Sequence, residues 1–191
     1  MMAEGLQFLV QTVGNLFVTA VLLRFFMQLF RVPFRNPFAQ FIVAVTDFAI
    51  KPLRRIVPGL FGIDWASLVL AFGLEAVIVV AGYWLREFPF ALAGMKVWPV
   101  FAGLALVRLA DLVVYLLIGL VLVRAVLSWV NPFSPLAPVM YELTEPFLRP
   151  LRRVVPVIAN VDLAPLVFIL ICQLVLIVPI QALERALLAG F

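Results

Sequence analysis

Four apolar runs dominate the 191-residue chain, and each is long enough to cross a bilayer. They fall at about 6–30, about 65–85, between 101 and 130 with a lipid-compatible core at about 111–130, and about 163–183. In lipid every backbone polar group must be satisfied within its own segment, so runs of this length are predicted to be helices. The alternating pattern of a membrane barrel is absent. Composition agrees: 66% of residues are apolar and 13% charged, whereas a soluble domain has about 45–50% apolar residues because its surface needs polar cover. No mixed-composition stretch is long enough to form a separate soluble domain. The expected fold class is an all-α membrane protein with four transmembrane helices and short interfacial helices in the connecting segments.

Two features of composition limit the chemistry. There is no histidine, which removes the side chain most used for metal or haem ligation and for proton transfer near neutrality. The single cysteine, Cys172, lies inside an apolar run and reads as a small buried hydrophobe. No nucleophile–base pair, metal-ligand spacing or glycine-rich phosphate loop is present, and Ser128 has no histidine to activate it. An enzyme is not expected, nor any cofactor.

The net charge of +4 is explained by topology rather than by nucleic acid. The first connection carries Arg31, Arg35, Lys51, Arg54 and Arg55, and the third carries Arg149, Arg152 and Arg153. The middle connection has Arg86 and Lys96, offset by Glu87. Positive charge marks the cytoplasmic side, so connections 31–64 and 131–162 are expected in the cytoplasm and both termini in the periplasm. The first run reads as an uncleaved span without a positive leader or a transit peptide, which favours a bacterial inner membrane.

The chain also matches itself. Val21-Leu22-Leu23-Arg24 answers to Val121-Leu122-Val123-Arg124 at an offset of 100. Thr46-Asp47 and Ile50-Lys51-Pro52-Leu53-Arg54-Arg55-Ile56-Val57-Pro58 answer to Thr144-Glu145 and Leu148-Arg149-Pro150-Leu151-Arg152-Arg153-Val154-Val155-Pro156 at an offset of 98. Asp64 and Asp162 keep that second offset. The chain is therefore divided into two units, 1–98 and 99–191, each a helix, a basic segment and a helix. Two spans per unit make the repeats parallel, with both basic segments on one face.

Within the repeated segment, Thr46 and Thr144 are expected to cap a short helix, with Asp47 and Glu145 in its first turn. Pro52 and Pro150 are expected to stop it. Lys51, Arg54, Arg55, Arg149, Arg152 and Arg153, set among apolar residues, suit a headgroup-level element that binds anionic lipid or a membrane-protein partner. Topogenic charge on a plain surface loop is the simpler alternative. Arg24 and Arg124 lie about 9 Å inside their spans, at about 1.5 Å per residue. They either snorkel outward or face the bundle interior and meet Asp64 and Asp162, with Asp47 and Glu145 as competing partners. Glu75 falls near the middle of the second span, and its counterpart is Gln173. It is either polar glue between helices, with Gln7, Gln11, Asn15, Gln28 and Gln173 as available partners, or part of an ion or solute path. Arg108 and Asp111 share a helix face and are expected to pair at the outer end of the third span.

The stretch from Val123 through Arg124, Ser128, Trp129, Asn131, Pro132 and Phe133 to Leu136 resembles the YggT family. So do Leu143 through Arg153 and Asp162-Leu163-Ala164-Pro165. The first unit is similar but looser, with Gln28-Leu29 in place of Ser128-Trp129 and Ser67 in place of Pro165. The resemblance implies a small bacterial inner-membrane protein with plastid relatives. It implies links to osmotic-stress tolerance, to cell division or nucleoid distribution and, in plastids, to haem attachment on a b-type cytochrome. An assembly factor or scaffold is the role this suggests, and a possible second partner is another copy of the chain in a homo-oligomer. The lack of histidine argues against direct histidine ligation of haem here. The competing expectation is a small channel or transporter with Glu75 in its path.

Overall fold

The computed structural model describes residues 2–59, 62–155 and 162–189. Every regular element among them is helical. Pro156, the last residue of the second repeated stretch, lies outside them. Four stretches are long and apolar enough to cross a membrane: Glu4–Leu29, Trp65–Leu85, Gly94–Val130 and Ala164–Leu188. They carry α1 (Met2–Leu29), α3 (Trp65–Leu85), α5 (Val97–Val130) and the α7–α8 pair. Short α4 (Phe90–Ala93) leads into α5, and α7 (Ala164–Val175) joins α8 (Gln181–Leu188) through a π-turn at Leu176–Ile180. That turn contains Pro179, whose missing N–H is better tolerated in a widened turn than in a regular one.

The remaining two helices, α2 (Pro37–Leu53) and α6 (Ala137–Arg152), are amphipathic. Ala39, Ile42, Thr46 and Ile50 are the buried residues of α2, at helical spacing of three or four. Val139, Met140, Leu143, Thr144 and Leu148 form the matching stripe on α6. Both threonines thus lie inside helices, not at their starts as expected. Each helix begins further upstream: Asn36 caps α2 by accepting from the Phe38 N–H at 2.8 Å, with Pro37 at the first position, where proline costs least. The Thr46 and Thr144 hydroxyls instead donate back to Ile42 O and Met140 O, both at 2.7 Å. Pro52 and Pro150 do fall within the last residues of α2 and α6.

The stretch expected at about 111–130 is the second part of a longer helix. Val97, Phe101, Leu104 and Ala105 are buried with Val79 of α3 in one cluster, so the helix is packed well before Arg108 and Asp111. Pro99 does not interrupt it, because it stands at the third helical position, where its N–H would have no partner anyway.

Helix α1 packs on α2, α3 and α5; α3 packs on α5; α5 packs on α6, α7 and α8. In lipid such contacts depend on close fit, because lipid tails are as apolar as leucine. Gly14 shows the fit: a Cβ there would come within 2.6 Å of Ile78 Cδ1. Phe30, just past α1, meets Phe147 of α6 edge-on, with ring centroids 5.6 Å apart. Asn36 Nδ2 also donates to the Pro135 carbonyl. Large apolar side chains left outside, among them Phe8, Leu16, Val77, Leu174 and Val178, suit contact with lipid.

Candidate functional site

Arg24 sits on α1 one and a half turns before its end, only 5% exposed, where a free guanidinium would be costly. It donates from Nη1 to Thr46 Oγ1 at 2.9 Å and to Val43 O at 3.4 Å. The same nitrogen is 2.8 Å from Asp47 Oδ1, a close ion pair off the hydrogen-bond direction. Asp47 Oδ2 takes Lys51 Nζ at 2.7 Å. The Lys51 hydrogen bond holds the Asp47 carboxyl below its ordinary range; burial opposes this and Arg24 adds to it.

Arg124 repeats the arrangement on α5. It donates from Nη1 to Thr144 Oγ1 at 2.8 Å and from Nη2 to Glu145 Oε2 at 3.0 Å. Its guanidinium carbon also lies 4.5 Å from the centre of the Tyr141 ring, a cation–π contact. Of the alternatives left by the sequence, Asp47 and Glu145 are therefore the partners of the two span arginines.

Asp64 and Asp162 are taken by the next arginines instead. Arg54 donates from Nη2 to Asp64 Oδ2 at 2.5 Å and to Gln28 Oε1 at 2.8 Å. Asp64 also accepts from Ser67 Oγ at 2.6 Å and caps α3 through the Ser67 N–H. Burial opposes its ionisation, yet Arg54 and Ser67 together hold its carboxyl below the ordinary range. Arg152 donates from Nε to Asp162 Oδ2 at 2.7 Å, and Asp162 in turn accepts from the Ala164 N–H at 2.9 Å at the start of α7. Asp162 too is lowered: burial opposes, and Ala164 and Arg152 outweigh it.

The two clusters also differ in how their pairs are linked. Arg152 Nη1 also donates to both Glu145 oxygens, at 3.1 and 2.9 Å, giving a continuous chain Arg124–Glu145–Arg152–Asp162. In the first unit Asp47 is one methylene shorter and its outer oxygen is taken by Lys51, so two separate clamps result. Each cluster borders a cavity, of about 430 Å³ beside Arg24 and Arg54 and about 470 Å³ beside Arg124, Ser128 and Arg152.

The other expected residues lie elsewhere. Arg55, Arg149 and Arg153 are exposed, and Lys51 is exposed beyond its contact with Asp47. Ile56 and Val154, next to Arg55 and Arg153, are 78% and 83% exposed. Glu75 is 1% exposed, with no hydrogen-bond partner for Oε2. Gln173, its sequence counterpart, is exposed and so does not join it. No Arg108–Asp111 ion pair forms among the described residues; Asp111 feels Glu184 of α8 as well as Arg108. No group of acidic or cysteine side chains suited to a metal occurs among the described residues. Ser67 and Tyr141 complete the clusters without a sequence signal, except that Ser67 follows Asp64 at capping distance; Gln28, expected as a partner for Glu75, accepts from Arg54.

These features define a multi-pass helical membrane protein whose amphipathic connecting helices are tied to its spans by arginine–carboxylate pairs. The CCB3/YggT family model matches residues 3–85 and 103–183, and the chain belongs to that family. It is 35% identical over 175 residues to the protein PA0392 of Pseudomonas aeruginosa, covering 88% of this chain and 84% of that one. It is 34% identical over 171 residues to YggT of Escherichia coli K12, covering 89% and 86%. A Vibrio alginolyticus protein encoded in the proC 3' region is 36% identical over 165 residues, covering 86% and 87%. No solved structure matches the chain.

Proposed function

We propose that this protein is a non-enzymatic scaffold or assembly factor of the bacterial inner membrane, acting under osmotic stress or at division. It consists of two parallel repeats whose basic segments share the cytoplasmic face, with both termini periplasmic. That face holds anionic lipid and a membrane-protein partner. The observation that carries this reading is the division of labour within each Arg-Arg pair. Arg54 and Arg152 are spent on Asp64 and Asp162. Arg55 and Arg153 stay exposed, each followed by an exposed aliphatic side chain. A cation beside an inserted hydrophobe suits phosphate above and acyl chain below. Arg149 adds a third exposed cation, and Gln173, exposed on a span, suits a polar contact with a second copy or the partner in lipid.

A through-conduit centred on Glu75 is disfavoured by the buried apolar cluster that includes Val18, Val21, Leu22, Ile50 and Ala71 on its α2 side. Complementation of a deletion strain under osmotic challenge tests the scaffold. The Arg55→Gln, Arg149→Gln, Arg153→Gln triple variant should insert normally, yet lose growth rescue and in vivo crosslinks to its partner. Full rescue by that variant would sink the idea.

A further inference from the structure

At the end of the bundle away from the arginine clamps, polar side chains line the α1–α3 contact. Gln7, Gln11 and Asn15 recur every four residues along one face of α1. Arg86, just past α3, donates from Nε to Gln7 Oε1 at 3.2 Å. Gly82 leaves the α3 surface bare opposite them: a Cβ there would lie 3.6 Å from Gln11 Nε2 and 3.9 Å from Gln7 Nε2. A cavity of about 20 Å³ between Gln7, Gln11, Gly82, Tyr83, Arg86 and Arg108 has room for a single water. Further in, Asn15 Oδ1 and Glu75 Oε2 are both buried without a hydrogen-bond partner. Beyond Glu75 the apolar cluster around Ala71 and Leu22 begins. A carboxylate at this depth is expensive to leave charged and unpaired.

We infer that Glu75 is a proton-binding site, reached from the end of the bundle opposite the clamps along the Gln7–Gln11–Asn15 face and closed toward the clamps. The inference does not rest on the scaffold role. The charge acting on Glu75 is Arg108 of α5. Among the described residues no cluster of acidic or cysteine side chains surrounds it to complete a metal ion's ligand set, which leaves the proton as the species to exchange. The other charges on neighbouring elements are engaged elsewhere or lie at the ends. Asp111 feels Glu184 and Arg108, Arg86 is held by Gln7, Arg54 by Asp64 and Arg24 by Thr46 and Asp47. Glu4 stands in the first turn of α1. Uptake of a proton at Glu75 changes the charge between α1, α3 and α5, so the site can report acidity on one side of the membrane without passing anything through.

The test is labelling of the full chain in nanodiscs with dicyclohexylcarbodiimide, a lipid-soluble reagent for protonated carboxyls, with mass spectrometry of the peptide that holds residue 75. Adduct at Glu75 should fall about tenfold or more as pH rises from about 4 to about 9, and Glu75→Gln should show none at that position. Gly82→Leu, which fills the track, should slow the response to a pH jump about tenfold, with unchanged end points. Absence of adduct at any pH, a yield indifferent to pH, or protection by sodium at fixed pH would overturn the proton site. An equally fast response in Gly82→Leu would overturn the route.

Discussion

Arg54, the residue that closes α2, reaches Asp64, while Arg55 one step further round the turn makes no such pair and stays exposed. The same step separates Arg152 from Arg153. Arg24 carries the larger liability, since its loss leaves Thr46 Oγ1 and Val43 O without a charged donor in a buried place, at about 1–3 kcal/mol. Arg24→Ala should therefore lower the unfolding midpoint in detergent sharply, whereas Lys51→Ala, at an exposed pair with Asp47, should cost under about 1 kcal/mol. Equal shifts for the two variants would contradict the assignment of Arg24 to the interior. A second prediction concerns Glu87, held at a φ of 58° where it closes α3. Phe88 N–H bonds back to Tyr83 O at 3.1 Å across this turn, and a left-handed residue with a Cβ costs roughly 1 kcal/mol. Glu87→Gly should stabilise the fold by about that amount and so raise the midpoint; a fall would show that the side chain, not the backbone, matters there.

The starts of α3 and α7 are each fixed by an aspartate that also holds an arginine, which couples helix capping to charge. Asp47, Asp64 and Asp162 all sit below the ordinary carboxylate range. A lowered folded-state value gives stability that is present above the unfolded value, about 3.9, and is lost as pH falls through the folded one. The contribution of these pairs should thus be lost below about pH 4, with thermal midpoints dropping there less steeply in Asp64→Asn than in the parent. An acid drop just as steep in Asp64→Asn would remove this pair as a cause. Much at this scale was legible in advance: the apolar runs marked the spans, and Asp64 and Asp162 stood at helix starts. The capping threonines were misjudged because Thr-Asp reads locally as a helix start, while Asn36-Pro37 upstream and the buried stripe Ala39–Ile42–Thr46–Ile50 decide otherwise. The choice of Asp47 over Asp64 for Arg24 depends on α2 folding back along α1, which no local pattern encodes. Gln173 followed Glu75 in the repeat, but the face a span turns toward its neighbours is set by packing.

Across the whole molecule there are two arginine clusters of similar make-up, one using separate clamps and the other a continuous chain. If the units are parallel, positions 55 and 153 lie on one side of the membrane and position 96 on the other. In a Cys172→Ser background, Arg55→Cys and Arg153→Cys should react with an impermeant thiol reagent from the same side, and Lys96→Cys only from the opposite side. Labelling of 55 and 153 from different sides would reverse one repeat. The most direct measurement of the central claim is native mass spectrometry of lipid retention, because the claim divides the basic residues into inward clamps and outward binders. The Arg55→Gln, Arg149→Gln, Arg153→Gln variant should lose bound phosphatidylglycerol and cardiolipin while keeping the parent's thermal midpoint. Undiminished anionic lipid on that variant, or its collapse in stability, would contradict the account.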